Sequence, residues 1–108
     1  MFARLVTMQL RPSLANEFPV TFEKEIVPLL KKQEGFMDEL LLISPQSREM
    51  VAISLWEKKS YAEIYNRELY PRVEKIVERF IEGVPIVQNF DEKFATFHEV
   101  AIPATVGS

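Results

Sequence analysis

A few side chains of this sequence have the types and spacing to act on a small molecule. Trp56 is the only tryptophan, and it closes the apolar run Val51-Ala52-Ile53-Ser54-Leu55 just before a helical segment begins. An indole at a strand–helix junction either forms a cavity wall on which a flat ring stacks or anchors a core through its ring and N–H. His98 is the only imidazole, and with an ordinary pKa near ~6.5 it suits a general base that deprotonates a phenol before it meets oxygen. The competing reading of His98 is a hydrogen-bonded surface or interface residue. Tyr61, Tyr65 and Tyr70 gather at the start of the following helix, where hydroxyls can orient a polar ligand atom or the rings can simply cover a helix–sheet seam. Asn66 and Arg72 can reach a carboxylate or quinone oxygen from that helix. Met8, Met37 and Met50 sit on strands, where thioethers shape an adaptable pocket or fill core gaps.

Other chemistries lack their residues. Three glycines supply no phosphate-binding loop, one histidine cannot build a transition-metal cage, and no Ser/His/Asp set assembles. Absence of cysteine removes disulfides, thiolate metal sites and thiol nucleophiles, and it fits a cytoplasmic location. A net charge of −3, with both signs interspersed, offers no basic stripe to nucleic acid and no polybasic patch to a membrane. No window approaches the roughly 20 apolar residues of a membrane span. The expectation is one compact domain with an ordered core over residues 2–102 and no cofactor.

The elements that must position these groups follow from periodicity. Phe2 to Leu10 alternates as a strand closed by Arg11-Pro12. From Ser13, an N-cap candidate, Leu14, Phe18, Phe22, Ile26, Leu29 and Leu30 recur at helical spacing, interrupted by Pro19, a first-turn residue, and by Pro28, which should bend the helix. Gly35 stops it, and Phe36–Ile43 and Met50–Trp56 form a hairpin around a Ser44–Glu49 turn. Ala62, Tyr65, Leu69, Val73, Ile76, Val77 and Phe80 trace a long helix with a kink at Pro71 and a stop at Gly83. Val84–Val87 reads as a short extended piece, and Phe94–Ile102 as the last strand.

The order β-α-β-β-α-β predicts an α+β fold of the ferredoxin-like, split βαβ kind, an antiparallel sheet with both helices on one face. Its strands are apolar at both alternation phases, so the face away from the helices should also be covered, most economically by a second copy in a homodimer.

Residues Ile26-Val27-Pro28-Leu29-Leu30-Lys31-Lys32-Gln33 before Gly35-Phe36, the strand Val51 to Glu57, and Tyr65 with Tyr70-Pro71 resemble the antibiotic biosynthesis monooxygenase family. The likeness covers about residues 2–102 as architecture. It implies a dimeric α+β barrel with a cavity between sheet and helices in each subunit. Some members oxidise electron-rich aromatics with dioxygen and no cofactor, and others bind and degrade haem. Trp56 matches the tryptophan that lines the cavity in quinone-forming members, while Ala52 stands where they carry an asparagine. The haem-degrading set is missing, with Val6 or Thr7, Tyr65, and Glu74 or Lys75 in its places. The expected function is cofactor-independent oxidation of a phenol or hydroquinone, with Trp56, Tyr65 and His98 as catalytic residues and Met8, Trp56, Tyr61, Tyr65, Asn66 and Arg72 around the substrate. The alternatives are a non-catalytic barrel binding a small apolar molecule and, last, a haem binder using His98.

Overall fold

The computed structural model describes residues 1–96. Strand β1 (Phe2–Leu10) buries Phe2, Arg4, Val6, Met8 and Leu10 on one face, as its alternation predicts. The hairpin of β2 (Phe36–Ile43) and β3 (Glu49–Trp56) forms around a turn in which Ser47 N–H donates to Ser44 Oγ (3.3 Å) and Arg48 takes a left-handed φ of 61°. With β4 (Ile81–Asp91) the sheet runs β2-β3-β1-β4, each neighbouring pair antiparallel. The helical segments cover one face only. This is the ferredoxin-like α+β arrangement.

Between β1 and β2 lie a 3-10 turn (Pro12–Leu14), α1 (Phe18–Thr21), a π-helical stretch (Phe22–Ile26) and α2 (Val27–Lys31). Pro19 sits in the first turn of α1 as expected, and the bend expected at Pro28 is realised as the π stretch before it, where Val27 N–H donates to Phe22 O. Pro28 has no N–H to give back along the helix, and the widened turn relieves the crowding its ring would cause. The widening also aligns the core. In a uniform α-helix a four-residue step overshoots the turn by about 40°, so Phe18, Phe22, Ile26 and Leu30 would drift off the sheet; with the π turn all four stay buried.

The second helix breaks at Leu69 (φ −112°) into α3 (Lys59–Glu68) and α4 (Tyr70–Val77), with Pro71 in the first turn of α4. Its stripe packs Ala62, Tyr65, Tyr70, Val73 and Val77 onto the sheet.

The C-terminal reading needs correcting. Gly83 does not stop the helix, and Val84–Val87 is no isolated piece: both belong to the eleven-residue strand β4. Phe94–Thr96, expected to begin the last strand, is not strand, and residues 97–102 lie outside the described residues. Gly83 reads as a helix stop, and both it and Pro85 disrupt regular strand pairing. Here they sit in a bulge at the sheet edge, where Gly83 to Pro85 oppose the single residue Met8 and Gly83 has a φ of 74°. An edge strand leaves the proline without a hydrogen bond to lose.

Candidate ligand cavity

Antiparallel register lines up one row of polar side chains across the helix-covered face. Arg4 pairs with Ser54, and Ser54 pairs with Glu39 on its other side. The next row is Val6, Ala52 and Leu41, and beyond it Met8, Met50 and Ile43. Over these rows lies a small cavity of about 30 Å³. Its apolar wall is Val6, Met8, Met50 and Ala52 below, with Phe18, Phe22, Ile26 and Leu30 from the first helical layer and Val73 and Val77 from α4 above. Arg4, Glu39, Ser54, Tyr65 and Tyr70 form its polar end.

Arg4 is 3% exposed, and Nη2 donates to Asn66 Oδ1 at 2.7 Å. Among the described residues it makes no ion pair. Its guanidinium lies 4.1 Å from the Tyr70 ring centroid and 5.3 Å from that of Tyr65, so the rings shield the cation on their electron-rich faces. Glu39 Oε1 and Tyr70 Oη are sealed from solvent without a hydrogen-bond partner. Burial pushes the Glu39 carboxyl up from its ordinary 4.5 to about 8, against the opposing pull of Arg4. Burial likewise raises the phenols of Tyr65 and Tyr70, again against Arg4.

Trp56 does not line this cavity. It is wholly buried one row away, Nε1–H donating to Ser54 Oγ at 2.9 Å, its ring between Phe36 (centroids 5.6 Å) and Tyr65 (5.1 Å). Ser54 Oγ in turn donates to the Arg4 carbonyl at 3.4 Å. The tryptophan is thus a core anchor that fixes Ser54 and backs the Tyr65 ring. Two of the expected residues, Met8 and Tyr65, reach the cavity. Asn66 does so only through Arg4. Tyr61 points the other way: its ring covers Gly35, and the Glu34 carboxylate beside it raises its phenol. Arg72 is exposed on the outer side of α4. His98 lies outside the described residues.

Arg4, Glu39 and Ser54 were missed as site residues, although the signal was there. Each is the polar member of an otherwise apolar phase: Arg4 among Phe2, Val6 and Met8, Glu39 with Leu41 and Ile43, Ser54 among Met50, Ala52 and Trp56. A polar residue at a core phase needs a partner or a purpose. That the three form one row depends on register, which periodicity does not reveal.

An outer groove adjoins this end of the cavity, lined by Phe2, Lys59, Ala62, Glu63, Asn66, Val87 and Asn89, and Arg4 borders both spaces. Among the described residues no helix is long and apolar enough to cross a membrane.

The sequence matches no protein-family model and no curated protein. The fold, by contrast, is shared with solved structures of antibiotic biosynthesis monooxygenases. A provisionally named one from Bordetella bronchiseptica superposes with a TM-score of 0.72 at 14% identity, over 86% of this chain and 97% of that one. Another from Nitrosomonas europaea gives 0.71 at 11% identity, over 87% and 100%. A monooxygenase of Streptomyces coelicolor, in complex with the ligand nanaomycin D, gives 0.68 at 17% identity, over 87% and 88%.

Proposed function

We propose that this protein binds a small aromatic molecule with an acidic hydroxyl in the cavity between sheet and helices, and oxidises it with dioxygen without an added cofactor. The observation that carries the reading is the two-part lining, an apolar wall for a ring and one polar end for its oxygen. The shared fold with proteins named as monooxygenases, one of them holding nanaomycin D, supports it. In such a reaction the substrate supplies the electrons: one oxygen atom enters the ring, the other leaves as water, and a phenol becomes a quinone.

The cavity, about 30 Å³, has room for about one or two waters, whereas a dry cavity that admits benzene measures roughly 150 Å³. Binding therefore moves side chains. Met8 and Met50 yield most cheaply, since an unbranched thioether changes rotamer without leaving its surroundings. Tyr65 orients the ligand oxygen in this reading, and Trp56 acts beneath it as a positioning residue. The homodimer belongs to the same proposal. Leu40 (51% exposed), Leu42 (49%), Ile86 (61%) and Phe90 (49%) make an apolar patch on the open sheet face, which a second copy would cover.

A second reading, binding without turnover, is favoured by Ala52, which presents only a methyl group to the cavity beside the polar row. Oxygen uptake with 1,4-naphthohydroquinone separates the two. Uptake above autoxidation that is lost in Ala52→Val, where two added methyl groups take up the cavity, supports oxidation at this site. Thermal stabilisation by the ligand without uptake selects the binder, and neither response rejects both.

A further inference from the structure

We propose that Glu39 takes the proton of a ligand hydroxyl in this cavity and that Arg4 holds the oxyanion so formed, which makes the ligand a phenol or enol rather than a hydrocarbon or an ether. The inference rests on the reading that the cavity holds an aromatic small molecule, and it names the groups that would do its chemistry. Three observations converge on it. Glu39 and Arg4 stand in one cross-strand row with Ser54 between them, both border the cavity, and no ion pair joins them. Glu39 Oε1 and Tyr70 Oη are buried without partners, an arrangement that costs stability unless something is meant to meet them. Arg4 is a buried cation whose neighbours are a neutral amide and two neutral phenols, and no ion pair gives it an anion.

A hydroxyl placed between the two groups resolves all of this. Its O–H donates to Glu39 Oε1, its oxygen accepts from Arg4, and Tyr70 Oη gains a neighbour. In the fraction of molecules whose Glu39 is ionised, which grows as pH rises through about 8, proton transfer then turns the carboxylate into a carboxylic acid and the ligand into a phenolate beside the guanidinium. The count of charges is unchanged, and no other reactant is needed. The groups that share this end with Glu39 are Arg4 from β1, Ser54 from β3, Tyr65 from α3 and Tyr70 from α4; the first helical layer brings only Phe18, Phe22, Ile26 and Leu30. Of these only Arg4 is charged at neutral pH. A carboxyl raised to about 8 is also better matched to a phenol than an ordinary one.

The test compares 1-naphthol with 1-methoxynaphthalene by calorimetry on the wild-type protein, Glu39→Gln and Arg4→Met. At about pH 9, where Glu39 is mostly ionised, wild type should prefer the naphthol by roughly 10- to 100-fold, the range of a hydrogen bond to a charged group. Glu39→Gln should bring the two ligands within about threefold of each other while keeping its affinity for the ether, a split that a merely structural role of Glu39 would not produce. Naphthol affinity of the wild type should vary with pH through a group near 8 that Glu39→Gln lacks. Arg4→Met should weaken naphthol more than the ether. Equal binding of both ligands by wild type, or a naphthol preference retained in Glu39→Gln, overturns the inference and leaves the cavity reading standing. Failure of both ligands to bind overturns the cavity reading, and this inference with it.

Discussion

Replacing Glu39 with glutamine should make the protein's stability less sensitive to pH, by an amount that follows from the burial of one carboxyl. In the unfolded chain Glu39 titrates near its ordinary 4.5, and in the folded protein near 8. Between these values the native state holds a proton that the unfolded state has lost, so folding stability falls as pH rises. The contribution is fully present below 4.5, is lost progressively through the window, and is gone above about 8. A gap of about 3.5 in pKa, at about 1.4 kcal/mol for each step, gives roughly 5 kcal/mol as an upper bound. Relaxation and water penetration around the ionised carboxylate should bring the observed figure to about 2–4 kcal/mol. Glutamine keeps the shape of the neutral acid and cannot ionise, so the difference between the two proteins cancels every other titrating group. The tyrosines do not enter, because Tyr61, Tyr65 and Tyr70 are all raised from 10.0, above the window. Urea unfolding from pH 5 to 9 should show the two proteins nearly equal at the acid end and Glu39→Gln the more stable by about 2–4 kcal/mol at the basic end. For a domain of this size that is about 10–25 °C in Tm. Parallel stability curves, or a wild type that gains on the variant as pH rises, would refute the claim that Glu39 is held protonated by burial.

The remaining expectations concern packing and assembly. Trp56→Phe removes the indole bond to Ser54 Oγ and leaves that buried hydroxyl with only its 3.4 Å bond to the Arg4 carbonyl, so chemical denaturation should show a loss of about 1–3 kcal/mol; because the ring does not line the cavity, the naphthol preference should survive. Gly35→Ala should cost about 2–4 kcal/mol in the same assay, since Gly35 has a φ of 81° and a methyl group there would collide with the Tyr61 ring; a cost below about 1 kcal/mol would show that the turn and Tyr61 move freely. Leu42→Glu with Ile86→Lys, on the open sheet face, should shift the sedimentation coefficient from dimer to monomer while leaving helix content intact; a wild type already monomeric would remove the homodimer from the proposal.

Much of the architecture was legible in the residues themselves. Phe2 to Leu10 alternates with one period throughout, the hairpin of Phe36–Ile43 and Met50–Trp56 flanks an unmistakable turn, and the two helical stripes keep their spacing across Pro28 and Pro71. Each of these signals is local: it arises from which face of a strand or helix must leave water. β4 escaped because its signal is weak for a physical reason. An edge strand buries little, so Ile81–Asp91 shows no clean alternation, and a bulge at Gly83 to Pro85 shifts its phase.

The site divides in the same way. That Tyr65 and Met8 face inward follows from helix and strand period alone, and so does the oddity of Arg4 within an apolar phase. What tertiary structure alone decided was company. Antiparallel register set Arg4, Ser54 and Glu39, 15 to 50 residues apart in the chain, into one row. The packing of α3 then closed Asn66 onto Arg4 and drew Trp56 under Tyr65, away from the cavity. Periodicity records only a residue's own exposure, whereas a shared site depends on distances between strands, and those are fixed when the sheet pairs and the helices settle on it.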